Sequence, residues 1–159
     1  MIFIECKPDL ALVRTITKVT RKEIAHEFKG KGGVCAQLRY RNNCIGLVDE
    51  DPSSPQPRFI QEAELKEDLS QHDIKVLHHG SSDNYILLLC PRLEEWVLKA
   101  AKEASVDVGK YGLPGDAARL HGVININLDK FEKLLDDLKD VDRLRKLKTV
   151  MVGMLRRRS

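Results

Sequence analysis

Three short apolar runs constrain most strongly what this chain can fold into. They cover residues 2–6, 44–48 and 85–90, and none alternates apolar with polar residues as a half-exposed strand would. Strands that are apolar throughout are typical of parallel sheets that are covered by helices on both faces. The segments between the runs include helical spacing, so we predict an α/β protein with a mostly parallel sheet.

The segment after the first run predicts a helix. Pro8 and Asp9 open it, and Leu10, Val13, Ile16 and Val19 recur every third residue, which places them on one helical face. The carboxylate of Asp9 can cap the start of this helix by accepting a backbone N–H.

The middle of the chain is punctuated by glycine, proline and asparagine. We expect a weakly alternating strand at 23–28, a Gly-Lys-Gly-Gly turn at 30–33 and a second helix at 34–40. Residues 52–72 are the least regular part of the chain: the prolines and serines at 52–57 predict a loop, and the polar segment 60–71 predicts partial helix. A short strand is predicted at 74–77.

The C-terminal half predicts mainly helices. Pro91 is expected at the first position of a helix, where its missing N–H costs nothing, and Trp96 is expected in the core. Residues 109–122 predict a long connection. Asn127 or Asp129 is expected to cap a helix that continues through Lys139, and a last helix is predicted from Val141 to about Arg156.

Length and composition favour one soluble domain of ordinary size. We divide its 159 residues into an α/β part, 1–125, and a helical extension, 126–159, that packs on the same domain. No apolar run is long enough to cross a bilayer, and the N-terminus lacks the features of a secretory signal. The four cysteines form no CxxC pair, which argues against a zinc site or a disulfide framework and favours a reducing, cytoplasmic location.

Basic residues are concentrated at the C-terminus. The net charge of +3 is too small to indicate a nucleic-acid partner, but no acidic residue follows Arg145, whereas several basic ones do. Arg156, Arg157 and Arg158 can meet phosphates, or they can simply keep the end of a helix solvated.

Three carboxylates fall at the ends of predicted strands. Glu5 ends the first strand, and Asp49 and Asp51 end the strand that begins at Cys44. Carboxyl ends of parallel strands share one edge of a sheet, where ligands collect, so we expect these side chains to converge. In a continuing strand Asp49 and Asp51 would also face the same way. Clustered carboxylates repel one another unless a cation neutralises them, and hard oxygen ligands suit Mg²⁺ or Mn²⁺. The alternative is a solvated turn before Pro52.

Further polar residues follow the third apolar run. Arg92 is expected at the same edge as a nucleic-acid contact. Glu94 and Glu95 can supply a second-metal ligand, or they can form an acidic first turn that suits the helix dipole.

The histidines are ambiguous. His78 and His79 can reach the carboxylates, or they can lie on the surface as polar residues. His121 falls in a predicted loop, and nothing in the sequence assigns it a role.

The strand-end carboxylates resemble the motif of the Toprim family. Its members have a first strand that ends in Glu, often followed by Gly and shortly by Asp, and a later strand that ends in Asp-x-Asp. Here the two segments are IFIECKPD and IGLVDED. The segment YILLLCPRLEEW is similar to the fifth segment of Toprim-like proteins that are related to OLD-type nucleases and are often associated with anti-phage defence and mobile elements. The likeness covers roughly residues 1–100; Cys6 stands where the family usually has Gly, and no Gly-rich segment follows Asp51.

The resemblance implies a Rossmann-like Toprim fold and a Mg²⁺- or Mn²⁺-dependent enzyme that acts on nucleic acid. It implies that Glu5 is the general acid or base, and that Asp49 and Asp51 hold the metal. Asp9 would assist as a further ligand, and Lys31 would contact a phosphate. A partner ATPase would also fit the resemblance.

Three functions follow from these patterns. The first is a metal-dependent nuclease or a related phosphotransfer enzyme. The second is a non-catalytic Toprim-like module that binds a partner protein or nucleic acid. The third is an α/β protein that binds a nucleotide or small phosphate at the glycine turn, which lacks a full P-loop pattern. Neither the choice between DNA and RNA nor the oligomeric state is encoded in any motif.

Overall fold

Six strands form a single mixed sheet in the computed structural model of the chain, which describes residues 1–26 and 29–158. In chain order the strands are β1 (Ile2–Ile4), β2 (Ile24–Ala25), β3 (Ile45–Asp49), β4 (Glu64–Leu69), β5 (Ile74–His79) and β6 (Asn84–Leu89). Across the sheet their order is β2-β1-β3-β6-β5-β4.

Four neighbouring strands run parallel. β1 pairs with β2 and β3, and β3 pairs with β6, whereas β5 runs antiparallel to both β6 and β4. The register places Ile4 opposite Leu47 and Asp49 opposite Leu89, so the carboxyl ends of β1, β3 and β6 lie at one edge. The predicted α/β fold with a mostly parallel sheet is confirmed, and so is the pairing of the first strand with the strand that ends at Asp49.

Helices cover both faces of the sheet. In the described residues they are α1 (Lys7–Thr17), α2 (Gly30–Arg39), α3 (Arg58–Glu62), α4 (Leu93–Glu103), α5 (Ala117–Val123), α6 (Leu128–Leu138) and α7 (Asp142–Arg156). Short 3₁₀ turns lie at Arg21–Glu23, Ser70–His72, Val108–Tyr111 and Ile124–Ile126. None of the described helices is long and apolar enough to span a membrane.

The sheet separates two hydrophobic layers. On β3, Ile45 and Leu47 face the larger layer, which contains α1, α4, α6 and α7, and Val48 faces the smaller layer, which contains α2 and α3. Successive strand residues point to opposite faces, and both faces are covered here, which explains why the strand sequences do not alternate. Trp96 is fully buried, as predicted, and its indole N–H donates to the His72 carbonyl over 2.8 Å.

The C-terminal helices belong to the larger layer. Both α6 and α7 pack against α1, and Phe131, Leu134, Leu144 and Leu147 are fully buried in the shared core. The two helices predicted in this part of the chain are confirmed; Asn127, and not Asp129, is the N-cap residue of α6, and no end differs by more than one residue from that expected.

The prediction for residues 52–72 is wrong in its second half. A short helix, α3, does form, but Glu64–Leu69 is the strand β4, whose side chains are almost all exposed. This edge strand pairs antiparallel with β5, so its hydrogen bonds come from a partner strand that lies later in the chain. A polar edge strand carries no apolar periodicity, and the local sequence therefore does not reveal it.

The predicted glycine turn at 30–33 is the first turn of α2. Val34, Cys35 and Leu38 on this helix are buried against the sheet, and their packing outweighs the low helix propensity of glycine. Helix α2 lies close to β3, since a Cβ on Gly46 of β3 would be only 2.9 Å from the Leu38 Cδ1 atom.

The predicted boundaries of other segments also differ from those in the structure. The strand predicted at 23–28 is limited to Ile24–Ala25 in the described residues, and residues 27 and 28 lie outside them. The connection predicted at 109–122 contains most of α5, which Asp116 caps by accepting a backbone N–H. Pro91 precedes the N-cap residue of α4 instead of occupying the first helical position.

Candidate functional site

Glu5 and Asp49 meet at the carboxyl edge of the sheet. Glu5 directly follows β1, and Asp49 is the last residue of the neighbouring parallel strand β3. The Oε1 atom of Glu5 accepts a hydrogen bond of 2.6 Å from the backbone N–H of Asp49. The predicted convergence of these two residues is confirmed.

The Glu5 carboxylate lies at the N-terminal end of α2. Burial raises its pKa and the charge of Asp51 adds to the rise, whereas the Asp49 N–H and the Lys31 ammonium act in the opposite direction. A Cβ on Gly30 would lie 3.8 Å from Glu5 Oε2, and Gly30 adopts a φ of +63° that favours glycine. The dipole of a helix favours a carboxylate at this end. A phosphate bound at the same glycines would meet this carboxylate, which weighs against the third predicted function.

Asp9 closes the turn between β1 and α1. It is 3% exposed, and its Oδ2 accepts from the backbone N–H groups of Glu5 and Cys6, each over 3.2 Å, and from the Cys6 thiol over 3.3 Å. Burial raises the pKa of Asp9 to about 7, and the charge of Glu5 adds to the rise. The pKa of the Cys6 thiol is also raised, chiefly by burial, so this thiol is a hydrogen-bond donor and not a nucleophile. Asp9 is thus the third residue of α1 and not the N-cap residue that the sequence predicted; Cys6 is the N-cap, and Asp9 accepts from its backbone N–H as in a capping box.

Asp49 connects the sheet to α4. Its Oδ1 accepts a hydrogen bond of 2.9 Å from the backbone N–H of Leu93, the first residue of that helix. Burial raises the pKa of Asp49 to about 8, and the charges of Asp9, Glu5 and Glu94 act in the same direction. Four carboxylates therefore interact electrostatically at this edge of the sheet.

Glu94 and His121 form a contact that the sequence did not indicate. Glu94 lies in the first turn of α4 with 7% of its side chain exposed, and its Oε1 is 2.9 Å from His121 Nδ1 on α5. The prediction of a loop around His121 concealed this pair. Asp116, a good N-cap residue, is the sequence signal that could have revealed α5.

Asp51 lies beyond the end of β3. It adopts a left-handed φ of 43°, so it does not share a strand face with Asp49, and the orientation expected for a continuing strand is wrong. The turn places the Asp51 carboxylate where it accepts from the Ser54 hydroxyl over 2.7 Å. Its charge nevertheless raises the pKa of Glu5, so Asp51 belongs to the same acidic edge.

Two of the predicted phosphate contacts flank the carboxylates. The Lys31 ammonium donates to the backbone carbonyl of Glu50 over 2.7 Å, and its charge acts on Glu5. Arg92 is half-exposed and pairs with Glu95 over 2.9 Å. Of the two glutamates predicted as second-metal ligands, Glu95 is therefore paired with Arg92. Only Glu94 contributes to the carboxylate cluster.

His78 and His79 lie at the opposite edge of the sheet. Because β5 runs antiparallel to β6, these two residues at its end pair with Tyr85 and Asn84 at the start of β6. His78 Nε2 is 2.8 Å from a carboxylate oxygen of Asp83 in the connecting hairpin. The alternative that these histidines reach the acidic edge is wrong, because strand direction carries them away from it.

The C-terminal arginines also lie away from the carboxylates. Arg158 donates to a backbone carbonyl just before β6 over 2.8 Å, and its guanidinium carbon is 5.2 Å from the centre of the Tyr85 ring. Both contacts are at the amino-terminal end of β6. The predicted nucleic-acid contacts thus lie in separate places: Lys31 and Arg92 at the acidic edge, Arg157 and Arg158 beside the start of β6, and Arg156 at the end of α7.

The acidic edge suits a hard divalent cation in its chemistry. Its donors are carboxylate oxygens, and the raised pKa values of Glu5, Asp9 and Asp49 reflect burial and a mutual repulsion that a cation would relieve. In the part of the chain that the structure describes, no three His, Cys, Asp or Glu side chains are arranged to hold a metal ion by themselves. An ion here would therefore keep water or substrate oxygens in its coordination shell, as Mg²⁺ commonly does.

No protein-family model, curated protein or solved structure significantly matches the chain. Since a fold by itself does not determine a function, the chemistry of the acidic edge carries the functional argument. Buried carboxyl groups whose pKa values lie near neutrality can transfer protons or take up a cation.

Proposed function

We propose that this protein is a Mg²⁺- or Mn²⁺-dependent hydrolase of nucleic-acid phosphodiester bonds, of the Toprim type that its motifs resemble. The observation that carries the proposal is the 2.6 Å contact between the Glu5 carboxylate and the backbone of Asp49. It brings the two carboxylate-bearing segments of the motif, which are more than forty residues apart in sequence, to one edge of the sheet. The buried carboxylates of Asp9 and Glu94 act on the same edge.

The aspartates that follow β3 would hold the cation. Asp49 and Asp51 are the proposed ligands, with Glu94 as a further oxygen donor from α4. The bound cation would polarise a phosphoryl oxygen and stabilise the charge that develops on it. Asp9 already accepts three hydrogen bonds within the β1–α1 turn, so we assign it to positioning Glu5.

Glu5 is the proposed proton acceptor. Its carboxylate is partly buried and burial raises its pKa, which makes it a stronger base than a solvated glutamate for taking a proton from an attacking water. The Asp49 N–H fixes the orientation of this carboxylate through Oε1. Lys31 and Arg92 flank it and would meet the phosphates of the nucleic acid. A partner ATPase stays a prediction.

A non-catalytic module that binds a partner protein or nucleic acid is the second candidate. The observation that favours it is that three carboxylates of the acidic edge each have a structural use. Asp9 accepts from the N-cap residue of α1, Asp49 accepts from the first residue of α4, and Glu5 ties β1 to β3. A protein without catalytic activity could keep all three residues for these contacts.

Metal titration combined with a cleavage assay tests the proposal. Wild type, Glu5→Gln and Asp49→Asn are titrated with Mg²⁺ and Mn²⁺ by calorimetry and assayed on DNA and RNA. Glu5→Gln should keep cation binding, because the amide still accepts from the Asp49 N–H, but it should lose cleavage by about 10²- to 10⁴-fold. Asp49→Asn should lose both cation binding and cleavage, because it removes a negative charge from the cation ligands.

Glu132→Gln is the matched control, because Glu132 is an exposed acid on α6 outside the carboxylate cluster, and it should retain both cation binding and cleavage. Cation binding by wild type without cleavage of either nucleic acid would favour the non-catalytic module. The absence of cation binding by wild type would contradict the enzymatic proposal.

A further inference from the structure

A polar cavity lies at the end of the sheet opposite the carboxylates, beside the β5–β6 hairpin. Its volume is about 450 Å³, and the side chains that matter here come from the end of α2, from α3 and from the β5–β6 hairpin. They are Arg39, Arg58, Glu62, His79, Ser81 and Ser82.

His79 is held rigidly in the wall of this cavity. Its ring stacks on the buried Phe59, with the ring centres 4.3 Å apart and the planes 9° from parallel. The Nε2 atom faces the Glu62 carboxylate at 4.0 Å. In the tautomer that carries its hydrogen on Nε2, facing this carboxylate, Nδ1 is the acceptor of the ring.

The two serines next to His79 supply more hydroxyl hydrogens than the ring can accept. Ser81 Oγ lies 3.1 Å and Ser82 Oγ 3.2 Å from Nδ1, and this nitrogen has one lone pair. The other acceptor for Ser82 is the His79 carbonyl at 3.4 Å, which is long for a hydroxyl donor. One hydroxyl is therefore available to donate to a ligand in the cavity.

The charge of the cavity is positive. Arg58 Nε binds Glu62 Oε1 over 2.6 Å, so the acid that lines the cavity already neutralises one guanidinium. In the described part of the chain the Arg39 guanidinium has no hydrogen bond or ion pair. An uncompensated guanidinium beside hydroxyl donors is suited to an oxyanion with several acceptor oxygens.

We propose that this cavity binds a phosphate group through Arg39, Arg58 and the hydroxyls of Ser81 and Ser82. The phosphate would belong to a small phosphate ester such as a nucleotide, or to the backbone of a nucleic acid. The site does not rest on the proposed nuclease function, because it lies at the other end of β6 from Asp49.

Titration of the full chain with inorganic phosphate, AMP and a short single-stranded DNA tests this site. Binding is followed by calorimetry and by the amide NMR signals of residues 79–82. We expect saturable binding that shifts these signals and that weakens at least tenfold in Arg39→Gln and in Arg58→Gln. Lys102→Gln, which removes one exposed positive charge from α4, should bind as wild type does.

The probes also separate the two sources of phosphate. Binding of AMP and inorganic phosphate indicates a small ligand, whereas binding of the oligonucleotide alone indicates a nucleic-acid backbone. Asp49→Asn should leave this binding unchanged, so failure of the nuclease assay would not affect it. The proposal is overturned if no probe shifts these amide signals saturably at concentrations up to about 10 mM, which is well above a millimolar Kd. It is also overturned if Lys102→Gln weakens binding as much as Arg39→Gln does.

Discussion

The Asp49 carboxylate accepts a hydrogen bond of 2.9 Å from the backbone N–H of Leu93, while its backbone N–H donates to Glu5. One residue therefore connects β1, β3 and the start of α4. Its side chain has two separable properties: an oxygen that accepts the Leu93 N–H, and a negative charge among other buried carboxylates. Asp49→Asn removes the charge alone, whereas Asp49→Ala removes both properties.

Asp49→Asn should leave the cation-free protein as stable as wild type, or more stable, above pH 8. The amide oxygen can still accept the Leu93 N–H, and the substitution removes a charge that neighbouring carboxylates repel. Asp49→Ala lacks the acceptor and should be about 1 kcal/mol less stable than Asp49→Asn. Urea unfolding in the presence of a chelator measures both. A clear loss of stability in Asp49→Asn would show that its charge is not repelled and would count against a cation site.

Without divalent cations, the free energy of unfolding should fall as the pH rises from about 4 to about 8. The pKa of Asp49 is raised from 3.8 to about 8 and that of Asp9 from 3.8 to about 7, so in this range the folded protein holds protons that the unfolded chain has released. Stability decreases with pH wherever the native state binds more protons than the unfolded state. Urea unfolding at a series of pH values tests this, and Asp49→Asn should show a shallower slope.

Added Mg²⁺ should stabilise the protein more at pH 8 than at pH 5, because a cation binds ionised carboxylates and competes with protons. A wild-type free energy of unfolding that does not change with pH, either with or without Mg²⁺, would contradict the electrostatic crowding at this edge.

Arg143→Ala should lower the free energy of unfolding by about 3 kcal/mol. The Arg143 side chain is 1% exposed and binds Asp73 over 2.8 Å and Glu103 over 2.6 Å, so its removal leaves Glu103 without this cation and Asp73 with Lys99 as its remaining partner. Its guanidinium also lies 5.6 Å from the centre of the Trp96 ring. Chemical denaturation measures the loss. Arg145→Ala, which changes an exposed residue on the same helix, is the control, and its free energy of unfolding should stay within about 0.5 kcal/mol of that of wild type. Equal losses in the two variants would refute the buried role.

Removal of residues 156–159 should weaken nucleic-acid binding and flatten its salt dependence if the C-terminal arginines contact phosphates. Because Arg158 lies at the edge opposite Lys31 and Arg92, the truncation should not change the rate of cleavage at saturating substrate. Fluorescence anisotropy across a salt series gives the slope, and a melting curve checks that α7 is intact. An unchanged slope would contradict a role of these arginines in binding phosphates.

The sequence by itself determined the fold class and the centre of the acidic edge. Strands that are apolar on both faces can be buried only between two layers of helices, so the runs that contain Ile4, Leu47 and Leu87 required a covered, mostly parallel sheet. Parallel neighbours end at the same edge, which is why Glu5 and Asp49 could be placed together from their positions after apolar runs.

Tertiary structure alone decided the features that depend on partners distant in the chain. The polar strand β4 exists because β5 supplies its hydrogen bonds, and the antiparallel direction of β5 carries His79 away from the carboxylates. His121 reaches Glu94 only because α5 packs beside α4. Hydrogen bonds and burial at such contacts are set by neighbours in space, and they leave no periodic pattern along the chain from which a local sequence could predict them.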